Sequence, residues 1–394
     1  MEFNRREFIK SLVGAGLCAG FLSSDGLEAK PNLQPLASIP SASGTPPTDE
    51  AHIFFVKEAM FYDKLEENEI RCKLCPKECE IGDRERGWCG VRENREGTYY
   101  TMVYGNPCSA YPDPIEKKPF FHFLPGTWAF SIATAGCNLN CKFCQNWEIS
   151  QVRPEETRNF RLPPADLVAA AKESNCKSIA YTYTEPTVFY EYMLDTARLG
   201  RKSGLKSVVI SAGYISPEPM KVLCESVDAV KIDLKSLRNK FYNEICSGEL
   251  QPVLNALKVL RDSGVWYEIV YLVVPSLNDS DEELKDTARW IYENLGPDVP
   301  LHFSRFYPKY QLRNLPPTDP KRLTWAREMA MDTGLNYVYV GNVSGDPGES
   351  THCPKCGKVL VKRVRYFIRQ NDIVDGKCKW CSEKIPGVWH DDQV

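Results

Sequence analysis

From Ala129 onward, short apolar runs alternate with helical stretches, and this alternation constrains the fold more than any other feature of the chain. The strand candidates are Ala129–Ala135, Ser178–Thr184, Ser207–Ser211, Ala229–Leu234, Trp266–Val274, Leu301–Tyr307 and Asn336–Val340. Helix candidates between them include Val188–Lys202, Pro217–Glu225, Asp281–Glu293 and Pro320–Thr333. Such alternation calls for parallel βαβ units. The runs are β-branched and nearly continuous, as in strands buried on both faces. About six units predict an α/β chain built as a partial (β/α)6, TIM-like barrel. Chemistry in such barrels collects at the C-terminal ends of the strands. Polar residues recur at that rim: Tyr183-Thr184-Glu185-Pro186, Ser211-Ala212-Gly213, Asp233-Leu234-Lys235 and Arg305-Phe306-Tyr307-Pro308.

The loop after the first of these strands carries Cys137, Cys141 and Cys144 in a C-x3-C-x2-C pattern. Three thiolates on one loop can hold three irons of a [4Fe–4S] cube and leave the fourth iron open to a small molecule. A cluster that only carries electrons normally has four cysteines. Buried structural thiols and part of a split zinc site are the alternatives.

The chain has 394 residues, a formal charge of −3 and 16 cysteines, so it is not built as a whole for nucleic acid or an anionic membrane. Cysteines paired as C-x2-C in an enzyme-sized chain read as metal ligands, not as a disulfide framework. Cys353, Cys356, Cys378 and Cys381 resemble a zinc ribbon, two knuckles pinching a hairpin, with a second iron–sulfur site or redox thiols as the alternatives. Eight Lys/Arg lie between Cys353 and Cys381 against Asp372 and Asp375. Docking to an acidic partner or RNA follows from that charge, although a solvated hairpin face is the favoured reading. Cys72, Cys75, Cys79 and Cys89 form a second set that suits zinc or an auxiliary iron–sulfur cluster, with redox or packed thiols as the alternative and Cys108 as a substitute ligand.

The triplet, with Phe143 before its last cysteine, resembles the radical S-adenosylmethionine (SAM) signature, and Cys137–Gln151 resembles the group around pyruvate formate-lyase activating enzymes. Five further stretches resemble the radical SAM enzyme of the AmmeMemoRadiSam system: Asp113-Pro-Ile-Glu-Lys-Lys-Pro-Phe-Phe-His-Phe123, Tyr181-Thr-Tyr-Thr-Glu-Pro-Thr187, Tyr339-Val-Gly-Asn342, Cys353-Pro-Lys-Cys-Gly357 and Ile385-Pro-Gly-Val-Trp389. The resemblance implies an open barrel, a [4Fe–4S] cluster at the triplet, SAM, and an external low-potential electron donor. It places Thr184 and Glu185 at the SAM ammonium, where a carboxylate is chemically apt. Tyr183-Thr184 stand where the family has two glycines. Ser211 is a candidate hydrogen-bond partner of SAM. Asp233 and Lys235 share one side of their strand by alternation, and the resemblance turns them toward SAM. Arg305 and Tyr307 are candidates for the substrate.

At the N-terminus, Asn4-Arg-Arg-Glu-Phe-Ile-Lys10 and the apolar run Ser11–Leu22 resemble a twin-arginine (Tat) export signal. The run is too short for an ordinary membrane span, which needs about 20 residues. Export to the periplasm or the extracytoplasmic face is the expectation, with a cytoplasmic protein as the alternative. The chain thus divides into a signal-like segment (1–30), a linker (31–55), an N-terminal Cys-rich segment (56–125), a core barrel (126–342) and a ribbon-like module (350–389).

Together these readings predict an enzyme that cleaves SAM to a 5′-deoxyadenosyl radical and abstracts hydrogen from an unidentified substrate, small molecule or protein. An activase that installs a glycyl radical on a partner protein is the variant of this reading. The rival from another class is a non-catalytic iron–sulfur electron carrier with a basic ribbon, which would have no use for Glu185, Asp233 and Lys235.

Overall fold

The computed structural model describes residues 56–390, so the signal-like segment and the linker lie outside the described residues. An antiparallel edge strand, β1 (Ser109–Pro114), leads into seven parallel strands: β2 (Trp128–Ala133), β3 (Ser178–Tyr181), β4 (Lys206–Ser211), β5 (Ala229–Asp233), β6 (Trp266–Val273), β7 (Leu301–Arg305) and β8 (Val338–Gly341). Their order in the sheet is their order in the chain. Helices α1 (Pro164–Glu173), α2 (Tyr190–Lys202), α3 (Pro217–Cys224), α4 (Leu250–Ser263), α5 (Asp281–Leu295) and α6 (Pro320–Asp332) make the crossovers. The sheet keeps two edges, β1 and β8, so it is an open barrel. Residues at the ends of β3, β4, β5, β6 and β7 line one cavity, which requires the sheet to curl around it.

Local signals explain most boundaries. Ser280 caps α5 by accepting from the Glu283 N–H at 3.2 Å, and Asp281, Glu282 and Glu283 fill its first turn. Proline opens α1, α3 and α6. The strand candidate Ser178–Thr184 is shorter than expected, and the helix expected from Val188 begins as a tight turn over Pro186–Phe189 before becoming α2. β1 escapes a pattern search because Pro112 and Pro114 interrupt it, and an edge is where a sheet tolerates proline.

The N-terminal segment forms two small antiparallel sheets, Tyr62–Lys64 with Ile70–Cys72 and Glu80–Ile81, and Lys57–Glu58 with Thr98–Thr101 and Arg92–Arg95. The second is pinned to α2 by a buried ion pair: Arg92 donates to both Glu191 carboxylate oxygens, at 3.1 and 2.6 Å. The C-terminal module is a hairpin, Val359–Val364 with Phe367–Asn371, whose core of Leu360, Val361, Ile373, Ile385 and Trp389 continues into Phe121, Tyr337 and Tyr339 of the barrel. Three stretches distant in sequence therefore meet in one seam. The His122 and Val388 backbones pair at 2.7 Å, Arg363 donates to the Phe121 carbonyl at 2.7 Å, and Glu268 of β6 accepts from the Phe121 and His122 N–H groups and from His302. Gly387 is obligatory there, since a Cβ would sit 2.7 Å from the His122 carbonyl oxygen.

Candidate active site

The cysteine loop follows β2 and is clamped from the side by the segment 242–246: Asn140 and Lys142 donate to the Cys246 and Ile245 carbonyls, both at 2.9 Å. Cys137, Cys141 and Cys144 line a cavity of about 320 Å³ together with Thr184, Glu185, Asp233 and Lys235. Ser211 is buried just behind this wall. Its hydroxyl donates to Glu185 at 2.6 Å, so Ser211 orients the carboxylate. Glu185 also accepts from the Thr187 N–H and hydroxyl and, at 2.8 Å, from the Ala212 N–H. Four donors thus aim one carboxylate. The Thr184 hydroxyl donates to the Thr134 carbonyl at 2.9 Å and ties the β3 end to the cysteine loop's root. Tyr183, standing where the family has glycine, adopts φ +67°, the left-handed conformation that glycine takes without strain.

Asp233 lies between two lysines, Lys231 and Lys235, the latter at 3.7 Å. Burial alone would raise the Asp233 pKa, but the two ammonium groups hold it below the ordinary carboxylate value. Burial would likewise depress Lys235, yet Asp233, Cys141 and Cys246 keep it above the usual lysine value. Lys231 is pushed down by burial, partly offset by Asp233. Lys231 is a cavity residue that the sequence reading missed, although the alternation that pairs Asp233 with Lys235 also includes it. Cys246 was likewise left unassigned. It is the main reason Cys141 lies below the usual thiol value, whereas burial pushes Cys137 and Cys144 up. The Leu139 N–H donates to the Cys137 sulfur at 3.4 Å, and Ser150 Oγ lies 3.3 Å from the Cys144 sulfur. Three sulfurs facing one cavity with an open side, two of them with hydrogen-bonding partners, fit a cluster held at three corners.

The remaining wall comes from the stretch after β1. Lys118 is buried and donates to Asp113 at 2.6 Å and to the Tyr183 hydroxyl at 3.0 Å. Burial lowers its pKa to about 8, partly offset by Asp113. A second cavity, of about 500 Å³, shares Lys117, Pro119, Val270 and Ser304 with the first. Tyr307, Asn342 and the hairpin turn Arg365–Tyr366 line it, as does Glu116, whose Oε2 is buried without a hydrogen-bond partner. Burial pushes the Glu116 carboxyl up to about 7, partly offset by Arg363. Arg305 lines neither cavity; it donates to the Thr318 carbonyl and the Tyr307 hydroxyl.

The outer cysteine sets differ in spacing. The sulfurs of Cys353, Cys356, Cys378 and Cys381 all lie within 4.8 Å of one another, with Cys353–Cys381 at 3.5 Å and Cys356–Cys378 at 3.8 Å. A tetrahedral ion with bonds of about 2.3 Å puts its sulfurs about 3.8 Å apart. Among the described residues this is the one group of three or more such ligands drawn that close. Cys72, Cys75, Cys79 and Cys89 line one small cavity but are spread more widely, and Cys108 does not line it.

The family model of the Radical SAM superfamily matches residues 131–291, from β2 into α5. An uncharacterized protein of Methanocaldococcus jannaschii is 46% identical over 332 residues, covering 84% of this chain and 99% of that one. The pyruvate formate-lyase-activating enzyme of Clostridium pasteurianum is 24% identical over 159 residues, covering 40% of this chain and 66% of that one. A radical SAM methyltransferase of Sphaerobacter thermophilus has a similar structure, with a TM-score of 0.42 and 15% identity over 59% of this chain and 70% of that one. With the cysteine triplet, Glu185 and the Asp233–Lys235 pair facing one cavity of an open barrel, the chain carries a radical SAM domain, shares a family with the M. jannaschii protein, and is a radical SAM enzyme.

Proposed function

We propose that SAM occupies the first cavity and that the hydrogen donor occupies the second. The observation that carries this is the shared wall: a cavity with the cysteine triplet opens beside one lined by polar groups, among them the orphaned Glu116 oxygen. When bound, the cluster supplies the electron that breaks a C–S bond of SAM, giving methionine and a 5′-deoxyadenosyl radical. The chain's own residues bind and orient. Glu185, aimed by Ser211, Thr187 and Ala212, receives the SAM ammonium. Asp233 and Lys235 present opposite charges to the polar edge of the bound SAM. Arg365 and Tyr366 cover the second cavity, which favours a small polar substrate over a protein. The likeness to pyruvate formate-lyase-activating enzymes keeps a glycyl-radical activase as the second reading. The stretches 113–123, 339–342 and 385–389 meet in one seam, which supports placing the chain in the AmmeMemoRadiSam group. Zinc is the ion we assign to Cys353, Cys356, Cys378 and Cys381. Four basic residues of that module already serve the protein itself, Arg363 and Arg365 toward the barrel and Lys355 and Lys379 in ion pairs, which disfavours a nucleic-acid role. Export by the Tat route is proposed from the sequence alone and is tested by fusing residues 1–30 to a reporter.

The deciding experiment is anaerobic reconstitution with iron and sulfide, followed by SAM, a strong reductant and quantification of 5′-deoxyadenosine. Product is expected from the wild type and not from Cys141→Ala; an intact cluster without product overturns the proposal. Glu185→Gln removes the charge facing the ammonium. Since a hydrogen bond to a charged group contributes about 1.5–3 kcal/mol, SAM is expected to bind about ten- to a hundredfold more weakly by calorimetry. An unchanged Kd would place the ammonium elsewhere.

A further inference from the structure

We propose that Cys72, Cys75, Cys79 and Cys89 hold a second iron–sulfur cluster, placed to hand electrons to the one at the barrel triplet. The four side chains converge on a single cavity of about 20 Å³ between the N-terminal sheets and the start of the cysteine loop. The Trp88 N–H donates to the Cys79 sulfur at 3.4 Å, and the backbone amides of Leu74, Lys77 and Val91 lie beside the sulfurs of Cys72, Cys75 and Cys89. Amide donors gather around sulfur where sulfur carries charge, as a metal-bound thiolate does. The other two sets share the trait, with the Leu139 N–H donating to Cys137 at 3.4 Å and the Asn146 and Trp380 amides beside Cys144 and Cys378.

Spacing then separates one kind of metal from the other. Two sulfurs on one zinc cannot lie more than about 4.6 Å apart, twice a Zn–S bond. The C-terminal sulfurs, all within 4.8 Å of one another, come close to that limit; neither the N-terminal four nor the triplet brings three sulfurs that near. A cluster relieves the constraint because its cysteines bind different irons. With four cysteines it has no open corner, so its chemistry is electron transfer.

Position supplies the role. Asn138, next to Cys137, lines the cavity of the four cysteines. The Cys89 carbonyl presses on Gly136 so closely that a Cβ there would lie 2.8 Å from its oxygen. On the outer side Trp88 is 55% exposed, with the Lys77 ammonium 4.2 Å from its ring centroid. A low-potential one-electron carrier protein docked there would be oxidised by one electron. That electron would pass through the second cluster to the first, and one C–S bond of SAM would break for each electron delivered. The destination of the electron rests on the function proposed above; the cluster itself does not.

The test compares wild type, a Cys137→Ala/Cys141→Ala/Cys144→Ala variant and a Cys75→Ala/Cys79→Ala variant, each assembled anaerobically and assayed for iron, sulfide and zinc. The triplet variant is expected to keep about two or about four irons per chain with matching sulfide, depending on cluster type. After reduction it should show an electron paramagnetic resonance signal that SAM does not alter. Zinc in place of iron, or no iron, in that variant overturns the proposal. This holds even if the Cys75→Ala/Cys79→Ala protein does not fold, because the triplet variant leaves all four N-terminal ligands intact. With a reduced flavodoxin-type protein as donor, the Cys75→Ala/Cys79→Ala protein is expected to lose most of its 5′-deoxyadenosine formation, while a small-molecule reductant restores it. Equal rates with the protein donor refute the electron route. A wild type that never cleaves SAM would refute the proposed function instead, and the iron count would still decide the cluster.

Discussion

Arg92→Ala is expected to cost about 3–5 kcal/mol of stability, the usual penalty for removing one partner of a buried ion pair. Arg92 and Glu191 are both 1% exposed. Besides its two bonds to Glu191, the guanidinium donates to the Val188 carbonyl at 3.3 Å. Without it, the Glu191 carboxylate stays buried with the Met60 N–H, at 2.7 Å, as its remaining neighbour. Arg92 also borders the cavity of the N-terminal cysteines, and Glu191 stands in the first turn of α2, directly after the turn that begins at Glu185. The damage therefore reaches both the N-terminal cysteine set and the aim of Glu185. An Arg92→Met/Glu191→Leu protein, which removes both charges and keeps the volume, is expected to recover most of the loss. Denaturant midpoints of the single and the double variant measure this. A single-variant loss below about 1 kcal/mol, typical of exposed pairs, would mean that water reaches the pair.

What the sequence revealed and what it hid follow from the range of the interactions. The cysteine triplet is local, and so is the alternation that sets Asp233 and Lys235 side by side; both were legible as text. Lys231 obeyed the same alternation and was overlooked because the resemblance named only its neighbours. Cys246 has no local signal, since the segment 242–246 brings it to Cys141 only after α4 and the strands have packed. The stretch 113–123 was legible as a motif but not as two devices. Asp113, Lys117 and Lys118 serve the cavities, whereas Phe121 and His122 hold the C-terminal module. No periodicity separates those roles, because the turn at Ile115–Lys117 redirects the chain between them. Ser211 was assigned to SAM directly, and the structure places Glu185 between its hydroxyl and the cavity.

Stripping the zinc proposed for the C-terminal cysteines is expected to open the second cavity while leaving the first intact. The module spans about 40 residues, too few to hold a core unaided, and a structural zinc supplies on the order of 10 kcal/mol of folding free energy in such small modules. Its own apolar core rests on Phe121, Tyr337 and Tyr339, so these residues lose their cover when it opens. Arg365 and Tyr366 then leave the wall of the second cavity, and Arg363, itself buried, abandons the Phe121 carbonyl. The first cavity draws its walls from β3 to β7, the cysteine loop and the stretch after β1, with none from the module. In a Cys378→Ser/Cys381→Ser protein, amide hydrogen exchange should therefore accelerate across 350–389, 119–124 and 337–342. Protection across 178–185 and 229–235 should persist, and SAM should bind with unchanged affinity. Unaltered exchange at 119–124 would show that the barrel holds this wall by itself. Loss of SAM binding would show that the two cavities are one cooperative unit, so that no substrate pocket can be remodelled through the ribbon without disturbing the radical chemistry beside it.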